Sequence, residues 1–211
     1  MNIGIIGAGN IGKTLAKLLS GAGHQVAISN SRGPATLQSL VAELGDGVQA
    51  MSTTEAANFG DIIIEAIPFG SYQQLPVEAI GDKIFVTASN YYPDRDGKIE
   101  LGSLSDSEFF TQNLTKARVV KAFNTIWYGH LATQGDLSKP VAERRVIFVA
   151  GDDADAKHQV SELIEQIGFG AVDTGTLHQS KQQQPDTLIY NKDMTVSDAL
   201  AILQKDREVD G

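Results

Sequence analysis

The residues with the clearest chemical purpose are three glycines, Gly7, Gly9 and Gly12, in the run GAGNIG. At this spacing the first glycine permits a tight turn, the second lets a phosphate approach the backbone, and the third lets a helix pack closely on a strand. The N-terminus of that helix offers free N–H groups to anions. The spacing therefore predicts a pyrophosphate cradle, and the alternative is a glycine turn without a ligand. The cradle residues are Gly7, Ala8, Gly9, Asn10, Ile11 and Gly12.

A second polar group, Asn30, Ser31 and Arg32, follows the next predicted strand about 20 residues further on. Sites for NAD usually carry Asp or Glu here, to bind the ribose 2′-hydroxyl. This chain has no acidic residue before Glu43. Hydroxyl, amide and guanidinium donors suit a phosphate instead, so the group predicts a clamp for the 2′-phosphate of NADP. The alternative is a polar turn with a solvated arginine.

Further candidates stand where later strands are predicted to end. Ligands of open α/β sheets bind beyond the carboxyl ends of the strands. Each position also has a structural explanation, since a proline ends strands, a phenylalanine fills cores and an asparagine caps turns. Their common position favours a ligand site. The candidates are Ile67, Pro68, Phe69, Ser89, Asn90 and Asn124.

Two charged residues, Glu65 and Lys121, lie inside apolar runs that predict strands. A buried charge without a partner is costly. The two side chains could pair across an intervening strand, or each could face a crevice and meet water or a ligand. The sequence leaves their roles open.

The elements that must position these residues alternate along the chain. Apolar runs predict strands, and helical spacing of apolar residues predicts helices between them. The pattern is that of a doubly wound parallel α/β sheet of the Rossmann type, with a small helical C-terminal extension. We expect one domain over residues 1–211, with the extension at 175–211. Strands are predicted at 1–6, 25–29, 48–51, 61–68, 84–89, 118–124, 145–150 and 169–173, and helices from 10 and from 52 or 53, and at 35–44, 71–80, 105–114, 127–132, 156–167 and 196–204; residues 90–104 read as a loop.

Composition excludes several kinds of chemistry. The 211 residues carry a net charge of −9, which disfavours nucleic acid and anionic membranes as partners. Cysteine is absent, which excludes disulfides, thiolate nucleophiles and cysteine-bound metals. The four histidines do not fall at metal-ligand spacing, so no metal is expected. No apolar run has membrane-span length and no signal peptide is recognisable, so we expect a cytoplasmic protein.

The order of motifs GAGNIG, SNSRGP, EAIPF, TASN, VVKAFNTI, VAGDDADAK and VDTGTL resembles the NADP-dependent oxidoreductases that act on the deazaflavin coenzyme F420. The pattern is also similar to the cytosolic NADPH domain of Steap metalloreductases. The resemblance implies NADP at Gly7–Gly12, Ser31 and Arg32, nicotinamide near Ile67, Pro68 and Phe69, and often a dimer. In the deazaflavin enzymes the hydride passes directly between two rings, so no catalytic acid or base is assigned.

Other nicotinamide enzymes fit less well. Short-chain dehydrogenases need a tyrosine followed four residues later by lysine, and none of the five tyrosines has one. Two-domain hydroxyacid dehydrogenases need a larger second domain than the chain after residue 175 supplies. The sequence thus predicts a homodimeric NADP(H)-dependent oxidoreductase with a deazaflavin or flavin acceptor. The alternative is an NADP-binding sensor or regulatory module without turnover.

Overall fold

The computed structural model describes residues 1–209, which build one eight-stranded sheet in the order β3-β2-β1-β4-β5-β6-β7-β8. Six strands are parallel, β7 runs antiparallel to β6, and β8 is parallel to β7. The Rossmann-type α/β class expected from the sequence is confirmed, apart from this reversal. The strands are β1 (Asn2–Ile6), β2 (Gln25–Ser29), β3 (Val48–Ala50), β4 (Ile62–Glu65), β5 (Ile84–Thr87), β6 (Arg118–Ala122), β7 (Val146–Gly151) and β8 (Gly170–Asp173).

The central strands are buried on both faces, which explains why they read as continuous apolar runs. Side chains alternate between the faces, so Ile62 and Ile64 join one hydrophobic cluster while Ile63 joins another. Helices cover both faces. They are α1 (Asn10–Gly21), α2 (Gln38–Leu44), α3 (Thr53–Phe59), α4 (Val77–Ile80), α5 (Pro93–Asp96), α6 (Asp106–Thr111), α7 (Tyr128–Thr133), α8 (Ala154–Gln166) and α9 (Val196–Val209).

Four helices begin at side-chain caps, and at the start of α9 Thr195 Oγ1 accepts the N–H of Asp198 while the Asp198 carboxylate accepts the N–H of Thr195. Ser52 and Ser105 form capping boxes with Glu55 and Glu108 at the starts of α3 and α6. Asp153 caps α8 by accepting the N–H of Ala156. Each cap satisfies N–H groups that the helix itself leaves without a partner.

The prediction of a continuous helix at 71–80 is wrong. The chain forms a 3-10 helix at Phe69–Gln74 and only then α4. Leu75, before Pro76, is extended with ψ 134°, because the proline ring disfavours a helical conformation of the preceding residue. The expected loop at 90–104 contains α5, which starts at Pro93.

The strands that lead to the candidate site end earlier than the apolar runs predict. Strand β4 stops at Glu65, whose carboxylate takes the N–H of Ile67. Strand β6 stops at Ala122, and the buried Phe123 next to it has a left-handed backbone with φ 66°. A bulky residue in this conformation costs on the order of 1–3 kcal/mol, which the surrounding contacts must offset. After Glu65 and after Ala122 the chain therefore leaves the sheet, and the residues that follow lie at the carboxyl edge of the strands.

Within residues 1–209, no helix is long and apolar enough to cross a membrane. The same residues contain no cluster of three or more histidine and acidic side chains that could hold a metal ion. The single-domain organisation of residues 1–211 stays a prediction, and residues 210–211 of the expected extension lie outside the described part.

Candidate functional site

The glycine loop joins β1 to α1, and of its three glycines only Gly9 borders open space. Gly7 has φ +116°, and a side chain there would collide with the backbone of Ala66. A side chain at Gly12 would collide with the carbonyl of Gly7, so this glycine brings the helix close to the loop. At Gly9, by contrast, an added Cβ would meet nothing within 4 Å. The backbone at Gly9 is therefore free for a ligand to approach.

The first turn of α1 offers donors to that ligand. Gly9 is the N-cap residue and provides no side-chain cap, and no acidic residue stands in the first turn. The N–H groups there carry the positive end of the helix dipole. The loop and the helix start therefore fit a dinucleotide pyrophosphate.

A pocket of about 560 Å³ opens on this loop, and we call it the glycine-loop pocket. Asn30 stabilises the turn at its rim by accepting the N–H of Arg32 at 3.0 Å and donating to Thr36 Oγ1 at 3.0 Å. The guanidinium of Arg32 has no side-chain partner within residues 1–209. It can therefore serve a bound phosphate. The pocket is lined by Ile6, Gly7, Ala8, Gly9, Asn30, Ser31, Arg32, Thr53, Ala66, Ile67, Pro68, Ser71 and Gln74.

A second pocket of about 500 Å³, the strand-end pocket, lies beyond the carboxyl ends of β4, β5 and β6. It shares Ala66, Ile67 and Pro68 with the glycine-loop pocket, so the two form one groove. Its other lining residues are Asn10, Ile11, Ala88, Ser89, Asn90, Tyr92, Arg95, Phe123, Asn124, Ile126, Trp127, Tyr128, Tyr190 and Asn191.

Asn90 and Asn124 hold two strand ends together below the strand-end pocket. Asn90 Nδ2 donates to the carbonyl of Asn124 at 3.0 Å, and Asn124 Nδ2 donates to Asn90 Oδ1 at 2.9 Å. Asn124 Nδ2 also donates to the carbonyl of Gln183 at 2.8 Å, which ties the C-terminal segment to the site. These amides fix the floor of the pocket.

Phe69 corrects the sequence-based expectation. Its side chain is buried and lines neither pocket. The ring contacts Tyr91, Phe109 and Phe110, with centroid distances of 5.4–5.5 Å. This aromatic cluster lies under the start of the 3-10 helix, so Phe69 packs the core while Pro68 before it faces the groove.

Glu65 and Lys121 do not pair with each other. Glu65 is fully buried and accepts from Thr87 Oγ1 and the N–H of Ile67, each at 2.8 Å. Burial raises the pKa of Glu65 to about 7. Lys121 instead forms a fully buried ion pair with Asp106, the first residue of α6. Glu65 thus fixes the backbone between the two pockets, and Lys121 attaches α6 to the sheet.

Gly12 also lines neither pocket, because it packs against the Gly7 carbonyl, and the structure brings together the remaining predicted residues. Gly7, Ala8, Gly9, Asn30, Ser31 and Arg32 line one pocket, Asn10, Ile11, Ser89, Asn90 and Asn124 line the other, and Ile67 and Pro68 line both. The sequence reasoning missed Tyr92, Arg95, Trp127, Tyr128 and Tyr190. A signal existed for Trp127 and Tyr128, which follow β6 directly, but none for Tyr190, because its position depends on long-range packing.

The comparisons with known proteins agree with this geometry. Residues 2–91 match the family model of coenzyme F420-dependent NADP oxidoreductases. The hypothetical protein SMa0349 of Sinorhizobium meliloti is 34% identical, with 92% of this chain and 95% of that chain covered and a TM-score of 0.78. An Arthrobacter sp. FB24 structure, described as a candidate F420-dependent NADP-reductase, has 24% identity, coverage of 85% and 86%, and a TM-score of 0.71, which supports the fold.

Metalloreductase STEAP3 of Rattus norvegicus is 29% identical over 182 residues, which are 85% of this chain. The chain spans about a third of the length of this relative, since the match covers 35% of it. Both resemblances stated from the sequence motifs are confirmed by these matches. The expected cofactor, NADP, is that of the matched family.

Proposed function

The chain belongs to one family with the Sinorhizobium meliloti protein SMa0349, and its residues 2–91 match the coenzyme F420-dependent NADP oxidoreductases; from this premise we propose that it is a reductase of a flat-ring acceptor. Bound NADPH supplies a hydride. The acceptor would be a deazaflavin or a flavin. The residues of this chain bind both partners and hold their rings together.

The observation that carries the proposal is the continuity of the two pockets at Ala66, Ile67 and Pro68. Phosphate-binding features stand at one end of this groove and strand ends with aromatic walls at the other. A groove with these two ends can hold a dinucleotide that crosses from the glycine loop to the strand ends. We assign the adenosine and phosphates to the glycine-loop pocket and the nicotinamide to the region of Ile67 and Pro68.

The wall of the strand-end pocket suits a flat second ring. The Trp127 side chain is half exposed, and its ring lies 4.9 Å from that of Tyr128. Exposed aromatic rings next to a pocket favour offset stacking with another ring. Ser89, Asn90 and Asn124 supply polar groups to the same pocket. This arrangement supports ring-to-ring transfer at near contact.

The alternative function is an NADP-binding sensor without turnover. It would keep the glycine-loop pocket and need no second-ring wall, so the aromatic lining favours the enzyme. The test is NADPH oxidation against deazaflavin, FMN, FAD, ferric chelates and quinones, alongside a fluorescence titration of NADPH binding. Oxidation with a ring acceptor supports the reductase, whereas tight NADPH binding with no oxidation by any acceptor favours the sensor.

A homodimer and a cytoplasmic location remain predictions from the sequence. Sedimentation equilibrium of the purified chain tests the first, and fractionation of cells that express it tests the second. The activity named for the metalloreductase relatives belongs to proteins about two and a half times as long, and we do not propose it for this chain.

A further inference from the structure

Two tyrosines from distant parts of the chain meet at the strand-end pocket. Tyr92 follows β5, Tyr190 precedes α9, and their hydroxyl oxygens are 2.5 Å apart although the residues are 98 positions apart in sequence. Both side chains line the pocket and are half-buried. The backbone N–H of Asn191 donates to the carbonyl of Thr125 at 3.0 Å, which holds the Tyr190 segment against the end of β6.

The pair of tyrosines has one more hydrogen-bond donor than its mutual hydrogen bond uses. Each phenol carries one O–H, and one of the two is used in the bond between Tyr92 and Tyr190. The other O–H has no acceptor among the described residues. A donor without an acceptor at a pocket wall is available to a ligand.

The surroundings decide which tyrosine holds the spare proton. The Arg95 guanidinium lies 4.9 Å from the centre of the Tyr92 ring and would stabilise negative charge on it. Asp96 and the carbonyl of Asn90 hold Arg95 in place. Burial and the hydrogen bond with Tyr92 raise the pKa of Tyr190, so Tyr190 stays protonated when the pair gives up a proton. The negative charge then rests on Tyr92, beside Arg95, and Tyr190 is the donor to it.

We propose that Tyr92 is the proton donor of the reduction and that Tyr190 is its positioning residue. This inference rests on the proposed function. Reduction adds a hydride and a proton to the acceptor. The hydride would come from NADPH, which is thereby oxidised to NADP⁺. The Tyr92 O–H bond breaks and its proton goes to a nitrogen or oxygen of the acceptor, while Tyr190 donates a hydrogen bond to the resulting phenolate and water restores the proton.

The proposal narrows the acceptor class. The acceptor must carry a nitrogen or oxygen that becomes basic when the hydride arrives, as a flavin, a deazaflavin or a quinone does. A ferric chelate takes up electrons without such a protonation. The site therefore favours two-electron organic acceptors over one-electron metal chelates.

The experiment uses Tyr92→Phe and Tyr190→Phe, with Tyr72→Phe as the control, because Tyr72 lines neither pocket and its hydroxyl accepts from Gln73 outside the pair. FMN and the deazaflavin coenzyme are the probes in single-turnover reduction. We expect Tyr92→Phe to slow reduction about 100-fold and to abolish the solvent isotope effect. Tyr190→Phe should slow it about tenfold and shift the alkaline limb of the pH profile. NADPH affinity should stay unchanged in all three variants.

A readout without turnover accompanies the kinetics. In the NADP⁺-bound protein, Tyr92→Phe should weaken FMN binding about tenfold through loss of the spare O–H, Tyr190→Phe should weaken it less, and Tyr72→Phe should leave it unchanged. If the wild type reduces the probes, and both Tyr92→Phe and Tyr190→Phe do so at the same rate and with the same isotope effect, the role of Tyr92 as proton donor is overturned and the proposed function is not. A wild type that oxidises NADPH with neither probe overturns the proposed function, and this inference with it.

Discussion

The Arg32 guanidinium stands at the rim of the glycine-loop pocket without a side-chain partner among the described residues. If it binds the 2′-phosphate, Arg32→Ala removes a charge-assisted contact of about 1.5–3 kcal/mol. Calorimetry should therefore show NADPH binding more than about tenfold weaker and NADH binding almost unchanged. Lys17→Ala, on the exposed side of α1, is the control. Equal losses for the two cofactors would contradict the assignment.

Gly9 offers a variant that separates binding from folding. Its φ of −76° suits any residue, and a Cβ there meets nothing, so Gly9→Val should fold with an unchanged melting temperature. The new side chain would occupy the space that the pyrophosphate needs, so NADPH binding should be lost. Gly12→Ala is the contrasting variant, because its methyl group collides with the Gly7 carbonyl and should destabilise the fold. Wild-type NADPH affinity in Gly9→Val would move the cofactor elsewhere.

Among the elements, α8 depends on a single capping carboxylate. Asp153 accepts the N–H of Ala156 and pairs with Arg118, which holds its pKa well below the usual range. Asp153→Ala should lower the free energy of unfolding by about 1 kcal/mol through loss of the cap. Because the folded-state pKa is lowered, this stabilisation is present at neutral pH and is lost on acidification.

Asp155→Ala is the matched control in urea denaturation. Asp155 also pairs with Arg118 but stands inside the first turn and caps nothing. Its removal should cost less than removal of Asp153, since exposed ion pairs contribute little. An equal or larger loss for Asp155→Ala would show that the ion pair, and not the cap, stabilises α8.

The elements also show how far sequence patterns reach. Apolar runs located all eight strands, and polar residues placed the start of α3 at Ser52 or Thr53 and of α8 at Asp152 or Asp153, where Ser52 and Asp153 are the caps. The helix over 71–80 failed because Pro76 divides a run with the right apolar spacing. The antiparallel direction of β7 could not be predicted from its apolar run, because a strand buried on both faces has the same apolar pattern in either direction.

In the candidate site too, local geometry could be predicted from the sequence and long-range contacts could not. The glycine loop and the Asn30–Arg32 turn are local, so their geometry could be predicted from spacing. Tyr190 is held at the strand-end pocket by its bond to Tyr92 and by hydrogen bonds of its segment to Thr125 and Asn124, all across long stretches of sequence. The sequence left the partner of Lys121 open, because Asp106 lies on a helix that packs over the strand. Long-range partners of this kind carry no periodic signal.

For the molecule as a whole, Glu65 makes stability depend on pH. Its pKa rises from 4.5 to about 7 in the fold, so between these values the native state holds a proton that the unfolded chain has released. The free energy of unfolding therefore falls as pH rises through this window, by about 3 kcal/mol, and this contribution is constant above it. Glu65→Gln should remove the slope, as urea denaturation at about pH 5 and about pH 8 would measure.

Glu55→Gln provides the comparison. The capping box lowers the pKa of this exposed carboxyl, so nothing at Glu55 titrates between the two pH values. Its stability difference from the wild type should be the same at both. A Glu65→Gln variant that behaves like Glu55→Gln would mean that Glu65 is ionised throughout the range.

The reversal of β7 keeps a long part of the chain beside the ligand groove. Since β7 is antiparallel to β6, the connection between them, including α7 with Tyr128, starts and ends at the same edge of the sheet. The chain returns to that edge a second time with Tyr190. The glycine loop and the Asn30–Arg32 turn belong to the first two βα units, far away in sequence. The residues of the glycine loop and the Asn30–Arg32 turn therefore lie on a different part of the chain from Tyr128 and Tyr190, so substitutions in one set can leave the other unchanged.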